Sequence, residues 1–173
     1  MKKILKALAL LILVGAIAFG IAAMFGFEKI WRMAGPADLG PVVWEGLSKG
    51  PKPNQGLVCP KGLCKEADMD LESPVYAVDA AGLKAAILKA ANAEPSIKRV
   101  DDETDENELR FVTYSPLMRF PDTTRVRIIP FDETSSTLAM YAQAQVGQKD
   151  FGANLARLKR WLRQLKPLEA AAD

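Results

Sequence analysis

Three polar residues near the middle of the chain could act together on a ligand. Arg119 and Asp122 flank a Phe-Pro dipeptide, and Tyr114 lies a few residues earlier. An arginine can bind a carboxylate or phosphate through two parallel hydrogen bonds, so this set suits an anion-binding pocket. The simpler interpretation, which we favour, is that Arg119 pairs with Asp122 and fixes a turn that Pro116 and Pro121 make rigid.

A second group of candidate binding residues, Asp150 and Asn154, stands at the start of the last predicted helix. The free N–H groups of a helix N-terminus can bind an anion. Asp150 can also cap the helix with its own carboxylate. Capping is the interpretation we favour, because an acid at this place competes with an anionic ligand.

A third group follows from the alternation of apolar and polar residues along the predicted strands. Leu138, Met140 and Ala142 point to one face of the sheet, so their neighbours point to the other. If helices cover only the apolar face, the polar face is the natural surface for a ligand or partner. We assign to it Arg125, Arg127, Tyr141, Gln143 and Gln145.

Several classes of chemistry are excluded or disfavoured by composition. The chain contains no histidine, which excludes a Ser-His-Asp or Cys-His hydrolase within it. The acidic segment 101–108 lacks the glycine and glutamate of an EF-hand loop, so we expect no metal site and no cofactor. The chain has 23 basic and 21 acidic residues, of which five basic residues and one acidic residue lie in residues 1–33. The rest of the chain therefore has a net charge of about −2. Such a balance disfavours nucleic-acid binding, and we assign no catalytic residue.

Cys59 and Cys64 are separated by four residues in a stretch rich in glycine and proline. Outside the cytoplasm a disulfide is their natural state, and it would stiffen this stretch. A redox-active pair of the thioredoxin type has two intervening residues and begins a helix. We therefore predict a structural disulfide, with a redox pair, free thiols or intermolecular pairing as the alternatives.

Residues 7–27 form a run of 21 residues without a charge, long enough to cross a bilayer as a helix. Lys2, Lys3 and Lys6 precede it and favour an N-terminus in the cytoplasm. We predict a single-pass anchor in the inner (cytoplasmic) membrane, with the C-terminal domain periplasmic or extracellular. A cleaved signal peptide is the alternative, although the apolar run continues beyond the small residues Ala22 and Ala23.

The elements that position these residues form a small α+β domain in the predicted order β-α-β-β-β-β-α. The pattern predicts an antiparallel sheet with two helices on one face. The basic residues of the last helix, Arg157 among them, are expected to face solvent. We divide the chain into an anchor over 1–33, a Gly/Pro-rich connector over 34–72, the domain over 73–166 and a frayed tail over 167–173. The predicted strands are 74–78, 96–101, 109–115, 125–131 and 137–146, and the predicted helices are 80–92 and 151–165.

Two long motifs, 114–122 (YSPLMRFPD) and 146–154 (VGQKDFGAN), resemble the bacterial domain-of-unknown-function family 1499. The preceding segment 52–60 (KPNQGLVCP) is similar to a membrane-anchored branch of that family. The resemblance covers residues 52–165 and implies no settled activity. It contains one departure, since the strand end 142–145 is Ala-Gln-Ala-Gln where relatives often carry a Ser-Arg-Ser-Arg-like sequence.

The leading hypothesis is a non-catalytic binding or accessory module of the cell envelope. Its partner would be a lipid, a peptide or an envelope protein, and residues 7–27 would hold it at the membrane. An enzyme using Tyr114, Arg119 and Asp122, or Asp150, is the rival hypothesis. A structural subunit that binds its complex through the apolar helix is the third.

Overall fold

A computed structural model describes residues 2–170, without the side chains of residues 22, 24 and 25. The chain begins with helix α1, Lys2–Phe25, and the short helix α2, Phe27–Arg32. Gly26 separates them with a φ of 83°, a positive value that glycine adopts without a steric penalty. α1 is long and apolar enough to cross a membrane, and the rest of the protein covers none of its apolar stretch. Membrane anchors and signal sequences share these properties.

The domain is built on one six-stranded sheet with the order β2-β1-β6-β5-β4-β3. All neighbouring strands are antiparallel except β1 and β2, which are parallel. This confirms the predicted α+β class and corrects the purely antiparallel sheet to a mixed one. The strands are β1 Gln55–Cys59, β2 Leu71–Glu72, β3 Ile97–Arg99, β4 Glu108–Tyr114, β5 Pro121–Pro130 and β6 Ser136–Ala144.

Residues 34–72 do not form the predicted connector, because β1 lies inside the sheet between β2 and β6. Gly56, which argued against a strand, has a packing role there. A Cβ at this position would lie 2.9 Å from the Cα of Leu155 in the last helix. The glycine therefore lets that helix approach the strand closely, which is a recognised use of glycine within sheets.

Helices α3, Ala80–Asn92, and α4, Ala153–Leu165, cover one face of the sheet as predicted. Asp79 is the N-cap of α3, and its carboxylate accepts a hydrogen bond from the Gly82 N–H at 2.7 Å. In the core, the rings of Phe111 and Trp161 meet edge to face with centroids 5.6 Å apart. This arrangement suits the quadrupoles of aromatic rings. This packing fixes the positions of the side chains of α4.

The other face of the sheet is covered too, which corrects the prediction of an open polar surface. The segment from Pro36 to Ser48 lies over it, and Trp44 is only 1% exposed among Leu57, Cys59, Ala139 and Tyr141. The Trp44 indole N–H donates to Oε1 of Glu108 at 3.0 Å. Burial of a large aromatic residue, with its N–H paired, holds this segment against the strands.

Cys59 and Cys64 form the predicted disulfide, with their Cα atoms 6.2 Å apart. The bond joins the end of β1 to the loop that follows. That loop in turn holds the segment over the sheet, since the Gly46 N–H donates to the carbonyl of Leu63 at 2.7 Å and the Lys65 N–H to that of Leu47 at 2.9 Å. The disulfide therefore strengthens the cover over the second face.

Two predicted regions differ from the structure. Residues 74–78 form no strand, and only Tyr76 makes isolated bridges, to Ser136 and Glu169. The tail expected to fray is ordered as far as the structure describes it: Lys166–Leu168 is a short 3-10 helix, and the Ala170 N–H donates to the carbonyl of Val75. The two segments pair with each other, a contact that sequence periodicity does not reveal. Residues 171–173 lie outside the described chain.

Candidate functional site

A cavity of about 460 Å³ lies at one end of the sheet, beside the first turns of α4. Three loops and one helix meet there because β4 ends, β5 begins and α4 begins at the same edge. Much of its wall is apolar, as is common in ligand sites. Its walls are residues 94–96 after α3, residues 113–116 at the end of β4, Asp122 at the start of β5, and Ala153, Arg157 and Arg160 of α4.

An ion pair between Asp122 and Arg157 lies in the wall of this cavity. Nη2 of Arg157 is 2.8 Å from Oδ2 of Asp122, and the arginine side chain is 8% exposed. Nη1 donates to Oδ1 of Asn154 at 2.8 Å and more weakly to the Thr124 hydroxyl at 3.4 Å. The guanidinium is thus held on two sides in a buried setting, where breaking a pair is costly.

Arg157 corrects the expectation that the basic residues of α4 all face solvent. A signal for this was present in the helical spacing. Asn154, Leu158 and Trp161 are buried along α4, and Arg157 stands on the same stripe three residues after Asn154. The arginine shares the inner face because Asp122 neutralises it there.

The pKa of the Asp122 carboxyl is raised above its ordinary value of 3.8, chiefly because burial disfavours the charged form. The positive charge of Arg157 opposes this shift, and the negative charge of Asp150 adds to it. A buried carboxyl with a raised pKa in a cavity is the kind of group that can hold or transfer a proton.

Asp150 and Asn154 lie near Asp122 and Arg157, but their side chains already make hydrogen bonds around the start of α4. The Asp150 carboxylate accepts from the Gly152 N–H at 3.0 Å and from the Asn154 N–H at 2.8 Å. The N-cap position itself belongs to Gly152, with a φ of 80°. The side-chain amide of Asn154 donates to the carbonyl of Asn54 at 3.2 Å. These bonds use the N–H groups that an anion would need.

One part of the cavity wall is held by bonds between α4 and Glu94, two residues after the end of α3. Arg160 makes two hydrogen bonds to the carboxylate of Glu94, at 3.0 and 2.8 Å. The Trp161 indole N–H donates to the same carboxylate at 3.3 Å. Glu94 therefore joins α4 to the end of α3 beside the cavity.

Arg119 pairs with a residue outside the domain rather than with Asp122. Its Nη2 lies 2.5 Å from Oε1 of Glu28 in α2, and its guanidinium stacks 4.8 Å from the ring centre of Tyr114. Arg119 belongs to the loop before β5, whereas Asp122 is already in the strand and faces the helices. The predicted set of Tyr114, Arg119 and Asp122 is thus divided between two environments.

α2 is fastened to the same loop by an aromatic contact. The Trp31 indole N–H donates to the carbonyl of Met118 at 2.6 Å, and its ring lies 4.6 Å from that of Phe120. Phe27 is also buried. Together with the Glu28–Arg119 pair, these contacts place α2 against the end of the sheet where the cavity lies.

Of the remaining predicted site residues, Arg127 and Gln145 bind the segment that covers the second face, whereas Tyr141 and Gln143 lie beside Gln55 of β1. Arg127 pairs with Glu45 at 2.8 Å, and the Tyr141 hydroxyl donates to the side chain of Gln55. Gln145 donates to the carbonyl of Pro36 at 2.6 Å. Gln143 lies opposite Gln55 in the sheet register. These four residues do not line the cavity.

The sequence profile of the family described as "Protein of unknown function (DUF1499)" matches residues 52–165. The chain belongs to the DUF1499 family. No curated protein and no solved structure gives a significant match. The match includes β1, the disulfide and every wall of the cavity. It begins after α2, which contacts Arg119 and Met118, and after Trp44, which lies over the second face of the sheet.

A second, smaller cavity of about 230 Å³ in this DUF1499 domain is lined by four acidic residues, Asp101, Asp102, Asp105 and Glu108. Burial raises the pKa of Glu108, while the indole N–H of Trp44 favours its charged form. Asp101 is bound by Arg99 and by the Arg110 N–H. Within residues 2–170, no cluster of His, Cys, Asp and Glu is arranged to hold a metal ion. We therefore take the larger cavity as the candidate site.

Proposed function

We propose that this DUF1499 protein is a membrane-anchored binding module of the cell envelope, whose binding site is the cavity beside the Asp122–Arg157 pair. The observation that carries the proposal is the cavity itself: about 460 Å³, largely apolar, with its charged groups already paired. Paired charges bind weakly to a second ion, so the wall favours a partly apolar ligand. A lipid, or an apolar side chain of a peptide or protein, fits this chemistry.

The proposed location rests on two further observations. α1 has the length and composition of a membrane span, and three lysines precede its apolar run. The Cys59–Cys64 disulfide is typical of compartments outside the cytoplasm. Both favour a single-pass protein with its N-terminus in the cytoplasm and its domain on the other side of the inner membrane.

A binding role is supported by the hydrogen bonds within the cavity wall. Ser115, the hydroxyl nearest the turn, accepts from the Phe120 N–H at 2.9 Å and helps to shape the loop. Arg157 is used by Asp122 and Asn154. These side chains already have hydrogen-bond partners within the protein, so they shape the cavity wall.

The test is to block the cavity in the full-length chain. Ala153 lines the cavity and Ala156, one turn later, is exposed on α4 outside it. We expect mass spectrometry of detergent-purified protein to find a small molecule or partner that the wild type and Ala156→Trp retain and Ala153→Trp loses. Equal retention by both variants, or a wild type that retains nothing, would refute the cavity as a binding site.

A second candidate function, an enzyme with Asp122 as a general acid, is favoured by the raised pKa of that buried carboxyl. It predicts that envelope extract incubated with the wild type gains a product that is missing with Asp122→Asn. Asparagine keeps the shape of the side chain, and ligand retained by the same preparation checks that the cavity survives the change. Unchanged product profiles would count against catalysis and leave the binding module as the proposed function.

A further inference from the structure

Two exposed apolar side chains lie next to residues that line the cavity. Phe151 is 97% exposed, and Leu117 is 69% exposed. Leu117 follows Pro116, and Phe151 precedes Ala153 by two residues; Pro116 and Ala153 both line the cavity. Phe151 also has a φ of 54°, which a residue with a large side chain rarely adopts. The β6–α4 loop therefore displays this ring to solvent at the expense of an unfavourable backbone conformation.

Sheet register places both side chains at the end of the domain that α2 contacts. Asp122 pairs with Ala144 across β5 and β6, and the Gln145 N–H donates to the carbonyl of Pro121. The loop of Leu117 and the loop of Phe151 therefore leave the sheet at the same edge. Trp31 of α2 binds Met118, the residue after Leu117.

The link between α1 and this edge is short. α2 begins two residues after α1 ends and has six residues. A helix of that length spans about 9 Å, so the 115–120 loop cannot be far from the end of α1. The opposite end of the sheet, where Phe131 follows the ten-residue strand β5, lies about 30 Å away.

The charges at this edge suit a membrane surface. Glu28 is paired with Arg119, and Asp150 accepts two N–H groups at the start of α4. Lys29 and Arg32 of α2 and Lys149 beside Phe151 carry positive charge, which attracts lipid phosphates. Glu28 is thus paired within the protein and the Asp150 carboxylate is hydrogen-bonded there, whereas Lys29, Arg32 and Lys149 are exposed and can meet head groups.

We propose that Leu117 and Phe151 insert into the interfacial region of the bilayer that holds α1, so that the cavity opens at the membrane surface and receives a membrane lipid. This inference rests on the proposed role of α1 as an anchor. Apolar rings and leucines bordered by basic residues are the usual means by which proteins dip into the head-group region. The lipid would then enter the cavity without crossing water.

The test places a polarity-sensitive NBD dye at single cysteines in the full chain. The native cysteines are joined in a disulfide, so introduced thiols can be labelled selectively without reductant. The probe positions are Leu117→Cys and Phe151→Cys. Phe131→Cys is the matched control, since Phe131 is also an exposed aromatic residue but lies at the far end of the sheet. Leu13→Cys, within α1, reports whether the span is embedded.

In nanodiscs of phosphatidylcholine and phosphatidylglycerol, we expect blue-shifted emission at positions 117 and 151 and quenching there by nitroxide-labelled lipid. The dye at position 131 should emit as it does in water. If 117 and 151 match 131 while position 13 is embedded, the insertion is refuted and the anchor stands. If position 13 is also in water, the anchor itself fails, and the insertion with it. Equal quenching at positions 117, 151 and 131 would likewise refute the specific insertion of Leu117 and Phe151.

Discussion

The carboxylate of Asp122 and the guanidinium of Arg157 lie 2.8 Å apart at the wall of the larger cavity. The pair joins the first residues of β5 to the second turn of α4 and so sets how the helix lies on the sheet edge. Loss of one partner would leave the other charge buried and unpaired. The cavity and the stability of the domain therefore depend on the same contact.

Replacing Arg157 with methionine should lower the free energy of unfolding by about 3–5 kcal/mol, since it strands the Asp122 carboxylate in a buried site. Urea denaturation of the full chain in detergent, followed by near-UV circular dichroism, measures this. The double variant Asp122→Leu with Arg157→Met should recover most of the loss, because both charges are then gone. A double variant as unstable as Arg157→Met would show that the pairing itself is not what matters.

The raised pKa of Asp122 predicts a pH dependence of stability. Because the folded state holds this proton more tightly than the unfolded state, the group stabilises the fold most below its ordinary value of 3.8. Its contribution falls as pH rises from 3.8 through the folded-state pKa. The difference in unfolding free energy between the wild type and Asp122→Asn should therefore decrease over that window. A difference that grows with pH would mean that Arg157 outweighs the effect of burial.

Gly56→Ala should destabilise the domain by about 1–3 kcal/mol, since the new methyl group would overlap the backbone of α4. The contact is 2.9 Å to the Cα of Leu155, which cannot move without the helix. Gly50→Ala is the control, because its methyl group would meet only the flexible side chain of Gln55, at 3.3 Å. Thermal unfolding of both variants should separate them, and equal midpoints would contradict the close packing of β1 and α4.

Removing the disulfide should loosen the cover over the second face before it unfolds the domain. Closing so short a loop contributes about 2 kcal/mol in the chain-entropy model. In Cys59→Ala with Cys64→Ala, we expect faster hydrogen exchange at Gly46 and Lys65, whose N–H groups tie the covering segment to the disulfide loop. Amides of β5 should change little. Uniform acceleration across the sheet would instead indicate global destabilisation.

Glu28→Gln should weaken the attachment of α2 to the domain, because it removes the charge opposite Arg119. Trp31→Phe should weaken it independently, since phenylalanine keeps the ring contact with Phe120 but loses the hydrogen bond to Met118, worth about 1 kcal/mol. Limited proteolysis after Arg32 in nanodiscs measures the attachment. Cleavage as slow in the double variant as in the wild type would contradict a fastened α2.

Strands β4, β5 and β6 and helices α3 and α4 could be predicted from the sequence because their apolar residues recur with clear periods of two or near four. β1 could not, since Gly56 and the neighbouring prolines resemble a linker. The glycine makes room for the backbone of Leu155, and this contact joins residues far apart in the sequence. Local patterns cannot show such contacts.

The candidate site was only partly predictable for a similar reason. Asp122 and Tyr114 line the cavity as separate members of the predicted set, but Arg119 turns to Glu28 in a helix assigned to the anchor. The sequence predicts a solvent-facing Arg157, because a charged residue is seldom buried without a partner. Its partner, Asp122, stands 35 residues earlier in the chain.

Both borders of the sheet are formed by very short strands, β2 with two residues and β3 with three. Each border exposes few unpaired N–H and C=O groups, so neighbouring molecules find little on which to extend a sheet. Brief outer strands therefore let copies of this domain lie close together without joining through their backbones.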